Sequence, residues 1–445
     1  MKKTVDFIIR YEHKVRELES IMLLKLELER RGYTVRLICN YDYKDVNNYN
    51  PKVLVVPAIY SDGQLYGDWY NYGLIHKIAN LQWEQLIGIK EEEDINGYHN
   101  INGIGTQVIT FCWGKKSYDR LVNSGLENNK AKVVGQINTD LLRGEFKQLL
   151  YTKDILSAKY GIDGKKRWYL FISSFAYCEM DEQQAKMSEA QLGKEDFDAF
   201  KDASYKSRDA ILDWFEKKLV SCPETLIIYR PHPDETQKCE RLKSMAQNYD
   251  NFKMVSQEAI KHWVNACDKV YNWFSTGIID AVVLNKPIRM LRPIEIKEDL
   301  DYRLMHNSRK LKNEEDFEND FNNLEIEEVF ESELLKSYYF LPENYVYKEI
   351  CDKLEELLHT TQYDINYKWN DRIKLSYIIV RRRIFNAIMP KLHFIPESIW
   401  PNFIRKRIQM HRELLNTRIH GFEKNVASEL EIEEQSQRLR AFIHG

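Results

Sequence analysis

The sequence predicts an α/β fold of two doubly wound parallel sheets, followed by a helical C-terminal extension. A chain of 445 residues is too long for one ordinary core, so more than one domain is expected. Short apolar runs rich in valine and isoleucine alternate with stretches of helical spacing, and this alternation occurs twice along the chain. Unbroken apolar runs are typical of parallel strands that helices cover on both faces.

The first series of elements lies in residues 1–150 and predicts an N-terminal Rossmann-like domain. Val5–Arg10 is a short β-branched run that predicts a strand, and Arg16–Arg31 follows with apolar residues at helical spacing. Gly32 is placed to end that helix. The other predicted strands are Tyr33–Cys39, Val53–Pro57, Val108–Trp113 and Lys132–Val134, and a short helix is predicted at Lys116–Ser124.

The second series lies in residues 151–300 and predicts a second Rossmann-like domain. Its predicted strands are Trp168–Ser173, Thr225–Tyr229, Lys269–Phe274 and Ile288–Leu291, and its helices are Lys206–Leu219, Glu258–Ala266 and Ile278–Leu284. Two open sheets in one chain imply two domains that face a cleft. Ligands of such sheets bind at the carboxyl ends of the strands, so the loops there are the candidate sites.

Residues 301–445 have a different composition. Glu314–Glu333 is acidic and predicts a solvated region, whereas residues 366–420 hold twelve lysines and arginines against three acids. Apolar pairs lie between these cations, and they include Tyr377–Val380, Ile384–Phe385, Ile388–Met389, Phe394–Ile395, Ile399–Trp400 and Phe403–Ile404. This pattern suits either peripheral binding to an anionic inner-membrane surface or a helix that packs back on the domains. A further helix is predicted at Val426–Phe442.

Composition excludes several classes of protein. Lysine plus arginine number 65 and aspartate plus glutamate 68, so the formal net charge of −3 argues against a nucleic-acid partner bound by global charge. No apolar run approaches the ~20 residues that span a bilayer. The seven cysteines are an odd number without a Cys-x-x-Cys pair, which predicts reduced thiols in a cytoplasmic protein and no zinc site.

Two strand-end loops carry side chains that suit phosphate. Arg230–Pro233 holds His232 between two prolines at the end of an apolar strand, where the imidazole can donate to a phosphate oxygen. Ser275, Thr276 and Gly277 lie between a strand and a helix, where hydroxyls and free N–H groups make an anion site. A turn histidine and an ordinary helix cap remain the alternatives.

A third loop, Ser173–Ser174, follows the first strand of the same sheet and adds two hydroxyls. In the N-terminal domain, Glu12 to Glu17 follows the first strand and contains Lys14 and Arg16. These carboxylates and cations can orient an acceptor and deprotonate its hydroxyl, or they can serve as capping and surface charges. Asp62 and Glu84 are the next candidates for the base.

The motifs and their order along the chain resemble those of GT-B glycosyltransferases of bacterial surface-carbohydrate biosynthesis. Glu12–Glu17 and Glu29–Val35 resemble the first βαβ unit of that group. Cys112–Gly114, Lys132–Gly135 and Asn138–Asp140 resemble the end of its N-terminal domain. Arg230–Pro233 and Phe274–Gly277 resemble the His-Pro and Ser/Thr motifs shared by polysialyltransferases, capsule Kdo transferases and teichoic-acid glycerophosphotransferases. The resemblance covers about residues 1–300.

The resemblance implies the following roles. The phosphate of a nucleotide-sugar donor, with cytidine favoured and uridine left open, is held by His232, Arg230, Ser275, Thr276 and Gly277, with Ser173 and Ser174 assisting. The base is expected in the N-terminal acceptor domain, at Glu17 or Glu12, with Lys14 and Arg16 on the acceptor side. No metal or other cofactor is expected, because GT-B enzymes generally need none.

The expected function is therefore metal-independent transfer of a sugar, preferably from a CMP-sugar, to a growing surface polysaccharide or lipid-linked glycan. Transfer of a polyol phosphate from a CDP-polyol and a scaffold that binds nucleotide-sugars without catalysis are the alternatives. A sugar 2-epimerase on the same two-sheet architecture is a further one.

Overall fold

The computed structural model describes residues 2–42, 45–235, 238–392 and 402–443. It contains two sheets, each of six strands, and every strand pair is parallel. The strands are β1 Lys3–Tyr11, β2 Val35–Cys39, β3 Tyr49–Val56, β4 Ile78–Asn80, β5 Ile109–Cys112, β6 Ala131–Val133, β7 Arg167–Ile172, β8 Thr225–Arg230, β9 Phe252–Met254, β10 Lys269–Asn272, β11 Ile288–Leu291 and β12 Lys310–Leu311.

Helices connect the strands and form the C-terminal extension. They are α1 Lys14–Arg30, α2 Asp62–Tyr72, α3 Ile89–Glu93, α4 Lys115–Asn123, α5 Lys153–Tyr160, α6 Glu182–Leu192, α7 Lys194–Ser221, α8 Glu240–Asn248, α9 Ile260–Ala266, α10 Ile278–Val283, α11 Arg303–His306, α12 Glu314–Asp320, α13 Ser332–Tyr338, α14 Val346–His359, α15 Trp369–Leu392, α16 Asn402–Asn425 and α17 Glu429–Ile443. None of the helices in the described part of the chain is long and apolar enough to cross a membrane.

The chain forms two compact units. The first consists of residues 1–85, 99–137 and 340–445, and the second of residues 86–98 and 138–339. The C-terminal third is thus divided, because residues 301–339 group with the second sheet and the remainder with the first. The predicted limits at 150 and 300 stay predictions.

The first sheet has the strand order β2-β1-β3-β4-β5-β6. Its inner strand β1 is buried on both faces, since Phe7, Ile8 and Ile9 have no exposed surface. Helix α1 packs on this sheet and ends before Gly32, whose φ of 93° is left-handed and favours glycine. Helices α14 and α17 pack against α1, so the end of the chain completes this unit.

The second sheet has the order β12-β11-β10-β7-β8-β9. Aromatic side chains dominate its core, and Tyr169, Phe171, Tyr229 and Tyr271 are fully buried in one cluster with Phe215 of α7. The prediction of two doubly wound sheets with a helical C-terminal extension is confirmed. The prediction of a solvated acidic region is wrong at Asp320, as its carboxylate is buried against two cations, Lys269 Nζ and Arg289 Nε, at 2.7 Å each.

All seven cysteines are free in the structure, and their reduced state in the cell stays a prediction. Among the apolar pairs predicted in the basic segment, Phe394–Ile395 and Ile399–Trp400 lie outside the described residues. The Phe403–Ile404 pair lies in α16, and its side chains are not described.

Candidate functional site

The three predicted donor loops begin at one edge of the second sheet. Strand β7 lies between β10 and β8, and the register pairs Asn272 with Ile172 and Ile172 with Arg230. The loops that follow hold Ser275, Ser173 and His232, respectively. The structure therefore brings these loops to the same carboxyl edge, where parallel sheets bind ligands.

His232 lies in the loop after β8, and its side chain is 39% exposed. Its Nδ1 accepts a hydrogen bond of 3.2 Å from the backbone N–H of Asp234. A neutral ring that accepts at Nδ1 carries its proton on Nε2, so Nε2 is the donor nitrogen. This tautomer suits donation to an anionic oxygen.

Arg230 binds the neighbouring loop of its own sheet. Its guanidinium donates to the carbonyl oxygens of Gln257 and Glu258 at 2.6 Å each. Burial lowers the pKa of Arg230 to about 10, so the side chain stays cationic at neutral pH. Arg230 thus anchors the end of β8, and its charge lies near the base of the His232 loop.

Ser173 belongs to a buried network rather than to an open surface. Its hydroxyl donates to Glu235 and lies 2.8 Å from the Tyr229 hydroxyl. The backbone N–H of Phe175 donates to the same Glu235 oxygen at 2.7 Å. Burial raises the pKa of Glu235 to about 7, although both hydrogen bonds oppose that shift. This network joins the β7 loop to the His232 loop, and Ser174 beside it is half-buried.

The Ser275–Gly277 segment is a closed turn. The N–H of Ser275 donates to Asn272 Oδ1 at 3.0 Å, and the N–H of Gly277 donates to Ser275 Oγ at 3.2 Å. The helix that follows, α10, has six residues, so its dipole is small. Thr276 is the exposed hydroxyl of this turn. Free backbone N–H groups are expected at this helix start, but the Gly277 N–H is already bonded.

Arg292 lies at the same edge and was missed by the sequence predictions. It follows β11, which pairs with β10, and is only 1% exposed. Its Nη2 donates to Asp301 at 2.8 Å, and its guanidinium lies 5.4 Å from the Phe274 ring centroid. Its Nε and Nη1 are buried and have no partner among the described residues. The sequence signal that could have identified Arg292 is a cation directly after an apolar strand.

In the first unit, Glu17 is fully buried at the start of α1. One carboxylate oxygen accepts from the backbone N–H of Glu12 at 2.8 Å, and the other accepts from Arg16 Nη2 at 2.8 Å. Glu17 thus ties the end of β1 to the first turn of the helix, where a carboxylate is also stabilised by the helix dipole. A base must contact the hydroxyl that it deprotonates, and this carboxylate has no exposed surface.

Glu84 and His99 extend this cluster toward solvent. Glu84 accepts from Arg16 Nη1 at 3.3 Å and lies 3.1 Å from His99 Nε2. The hydrogen bond with His99, together with the charge of Arg16, lowers the pKa of Glu84 to about 2. An ionised carboxylate only accepts, so His99 Nε2 donates and the neutral ring has its lone pair on Nδ1. The side chain of Glu84 is 49% exposed.

The other predicted residues of the first unit have structural partners. Lys14 Nζ binds Glu431 of α17 at 2.7 Å, and Glu12 accepts from Tyr41 at 3.4 Å. Asp62 accepts from Lys374 Nζ at 2.8 Å and from the N–H of Ile104 at 2.8 Å. Their catalytic or acceptor roles stay predictions.

No cluster of three or more His, Cys, Asp or Glu side chains in the described ranges could hold a metal ion. Metal independence of the reaction stays a prediction, as does the choice of nucleotide.

The chain resembles solved structures of the wall teichoic acid polymerase TagF. A TagF variant superposes with a TM-score of 0.51 at 9% identity, covering 79% of this chain and 89% of that chain. A TagF variant soaked with CDPG gives 0.51 at 10% identity, with 80% and 88% covered. The S. aureus MnaA–UDP co-structure aligns at 11% identity over 83% of this chain and 100% of that one, but its TM-score of 0.46 is too low to carry an argument.

No protein-family model and no curated protein matches the sequence. At 9% to 10% identity, the likeness to TagF shows the fold alone. Together with the two six-stranded parallel sheets and the helical C-terminal extension, it establishes that this chain has the GT-B fold.

Proposed function

We propose that this chain is a glycosyltransferase that moves a sugar from a CMP-activated donor to a growing surface polysaccharide or lipid-linked glycan. The observation that carries the proposal is the convergence of the His232, Ser173 and Ser275 loops at adjacent carboxyl strand ends of one sheet. Phosphate is the ligand that their hydroxyls, imidazole and neighbouring cations suit. The free thiols support a reducing, cytoplasmic compartment.

On the donor side, His232 contacts the leaving phosphate through Nε2, and Thr276 and Ser174 add hydroxyl donors. A donor aimed at the position where negative charge develops stabilises the transition state more than the ground state. Arg230, Ser173 and Ser275 act as positioning residues in this proposal. Arg230 and Ser173 bond neighbouring loops at this edge, and Ser275 closes its own turn by accepting from the Gly277 N–H.

On the acceptor side, we propose His99 as the base and Glu84 as the carboxylate that orients it. An imidazole held by an ionised carboxylate is a common arrangement for deprotonating a hydroxyl. Arg16 donates both to Glu84 and to the buried Glu17. Glu17 in turn accepts from the backbone N–H of Glu12, so these two residues stabilise the position of Arg16. The earlier candidates Glu17 and Glu12 remain the competing assignment.

A second candidate function is transfer of a polyol phosphate from a CDP-polyol. The likeness in fold to TagF, which has been soaked with CDPG, favours this candidate. The same phosphate-binding edge serves either donor, because both carry a cytidine nucleotide. The two donors differ in the group attached to the CMP phosphate, which is a sugar in one and a polyol phosphate in the other.

A thermal-shift panel with CMP, CDP, UDP and GDP tests the proposal. A ligand present at about 100 times its Kd adds about 2.7 kcal/mol to the free energy of unfolding. We expect the cytidine nucleotides to raise the Tm most. Transfer from labelled CMP-sugars and from CDP-glycerol then separates the two candidates, and binding without any transfer would indicate a scaffold.

A further inference from the structure

An exposed apolar stripe runs along α15 in the first unit. The stripe consists of six side chains that are each three or four residues apart and therefore share one face of the helix: Trp369, Ile373, Tyr377, Val380, Ile384 and Ile388. Their exposed fractions lie between 48% and 75%. Single exposed apolar residues are ordinary, but a contiguous row of six marks an interaction surface.

The opposite face of α15 attaches the helix to its unit. Leu375 is buried in the core beside α2, and Ile379 packs against the same cluster. With about 3.6 residues per turn, these two positions lie half a turn away from the stripe. The stripe is therefore not the face that holds α15 in place.

Basic side chains border the stripe on both sides. Arg372 and Arg383 lie along one border and Arg381 along the other, and all three are exposed. The helix contains one acidic residue, Asp371, which projects toward the attached face. The surface thus combines an apolar centre with positive edges.

This combination favours a lipid surface over a second copy of the chain. In a symmetric dimer, the same patch faces itself, and the bordering arginines would be brought toward one another. Like charges placed opposite each other oppose association. Lipid phosphates, in contrast, match the positive borders, and the acyl region accepts the apolar centre.

We propose that the α15 stripe docks on an anionic membrane surface, with the helix lying in the plane of the headgroups. Its apolar side chains enter the boundary of the acyl chains, and Arg372, Arg381 and Arg383 bind lipid phosphates. The surface lies outside the residues assigned to donor binding and to the base. Docking therefore does not depend on the proposed reaction.

Flotation of the full chain with vesicles tests the apolar part. The vesicles contain phosphatidylcholine with about a third phosphatidylglycerol at low salt. We expect Ile373→Glu combined with Ile384→Glu to lower the bound fraction at least tenfold. The matched control is Met187→Glu on α6, because Met187 is 64% exposed but lies in the second unit. Equal flotation of wild type and the double variant would overturn the proposal.

Separate variants test the role of the arginines that border the stripe. Replacing Arg372, Arg381 and Arg383 by glutamine should weaken binding by about fivefold per residue, and high salt should weaken the wild type in the same direction. Equal binding to pure phosphatidylcholine would contradict the role of the arginines. If sedimentation instead shows a dimer that the stripe variants dissociate, then the stripe is a self-association surface. Unchanged Tm and nucleotide binding confirm that the variants are folded.

Discussion

Glu235 lies at the carboxyl edge of the second sheet, where its carboxyl group is buried between Ser173 and the N–H of Phe175. Burial raises its pKa to about 7, above the value of about 4.3 for glutamate in an unfolded chain. Between these values, the folded state retains a proton that the unfolded state has lost. The stability that the protonated Glu235 contributes to the folded state is therefore complete below about pH 4 and is lost as the pH rises through 7.

We predict that Glu235→Gln removes this pH dependence, because glutamine copies the neutral carboxyl group. Between about pH 5 and 8, the free energy of unfolding should fall by about 2 kcal/mol less in the variant than in wild type. Urea unfolding across this range provides the measurement. Glu240→Gln, an exposed change on α8, is the control, and parallel curves for Glu235→Gln and wild type would contradict the assignment.

The base assignment is a second prediction at the residue scale. His99→Asn should lower kcat by about 10²-fold or more while donor affinity is kept, since proton transfer is lost but the donor edge is intact. Glu84→Gln should lower kcat in the same direction, as the imidazole loses its orienting carboxylate. Steady-state kinetics and nucleotide binding measure the two effects.

Glu17→Gln and Glu12→Gln are the comparison for this prediction. If Glu17→Gln abolishes turnover in a protein of wild-type Tm while His99→Asn remains active, the buried carboxylate is the base after all.

At the scale of elements, the backbone at position 135 requires the glycine that ends the Lys132–Gly135 motif. Its φ is 99°, and a Cβ would come within 2.5 Å of the Phe340 carbonyl oxygen. The chain returns to the first sheet at this point, where the N–H of Phe340 donates to the Trp113 carbonyl at 2.8 Å. Gly135 thus allows the segment that begins at Phe340 to pack closely against the first sheet.

We predict that Gly135→Ala destabilises the protein by several kcal/mol, through a left-handed backbone and a backbone clash together. The matched control is Gly32→Ala, because Gly32 has a φ of 93° and no atom within 4 Å of a Cβ. That control should cost only about 1–2 kcal/mol. Thermal and urea unfolding measure both variants, and equal losses would show that the close approach of Phe340 contributes nothing.

At the scale of the whole molecule, the sequence predicted the two sheets because their long strands contain apolar and β-branched runs. It missed β4, β9 and β12, which have only two or three residues and therefore show no periodicity. It also started α7 at Lys206, whereas the helix begins at Lys194 after Gly193. Local patterns do not report that Asp320 pairs with Lys269, because that contact joins residues far apart in the sequence.

The candidate site was predictable to a similar degree. The order of motifs placed His232, Ser173 and Ser275 on one sheet, and the strand register agrees with that placement. Which polar atoms are already engaged was not predictable, because the partners of Ser173, Gly277 and Glu17 come from tertiary packing and from the local turn geometry. The same reason hid His99, whose partner Glu84 is fifteen residues away.

The central claim is that the carboxyl edge of the second sheet binds the phosphate of a cytidine-nucleotide donor. His232→Ala tests it most directly, because the His232 side chain is 39% exposed and its truncation should leave the Tm nearly unchanged. With the donor that the nucleotide panel selects, kcat/KM should fall by roughly 10²–10³-fold, or about 2.7–4 kcal/mol. Wild-type kcat/KM in a folded His232→Ala variant would contradict the claim.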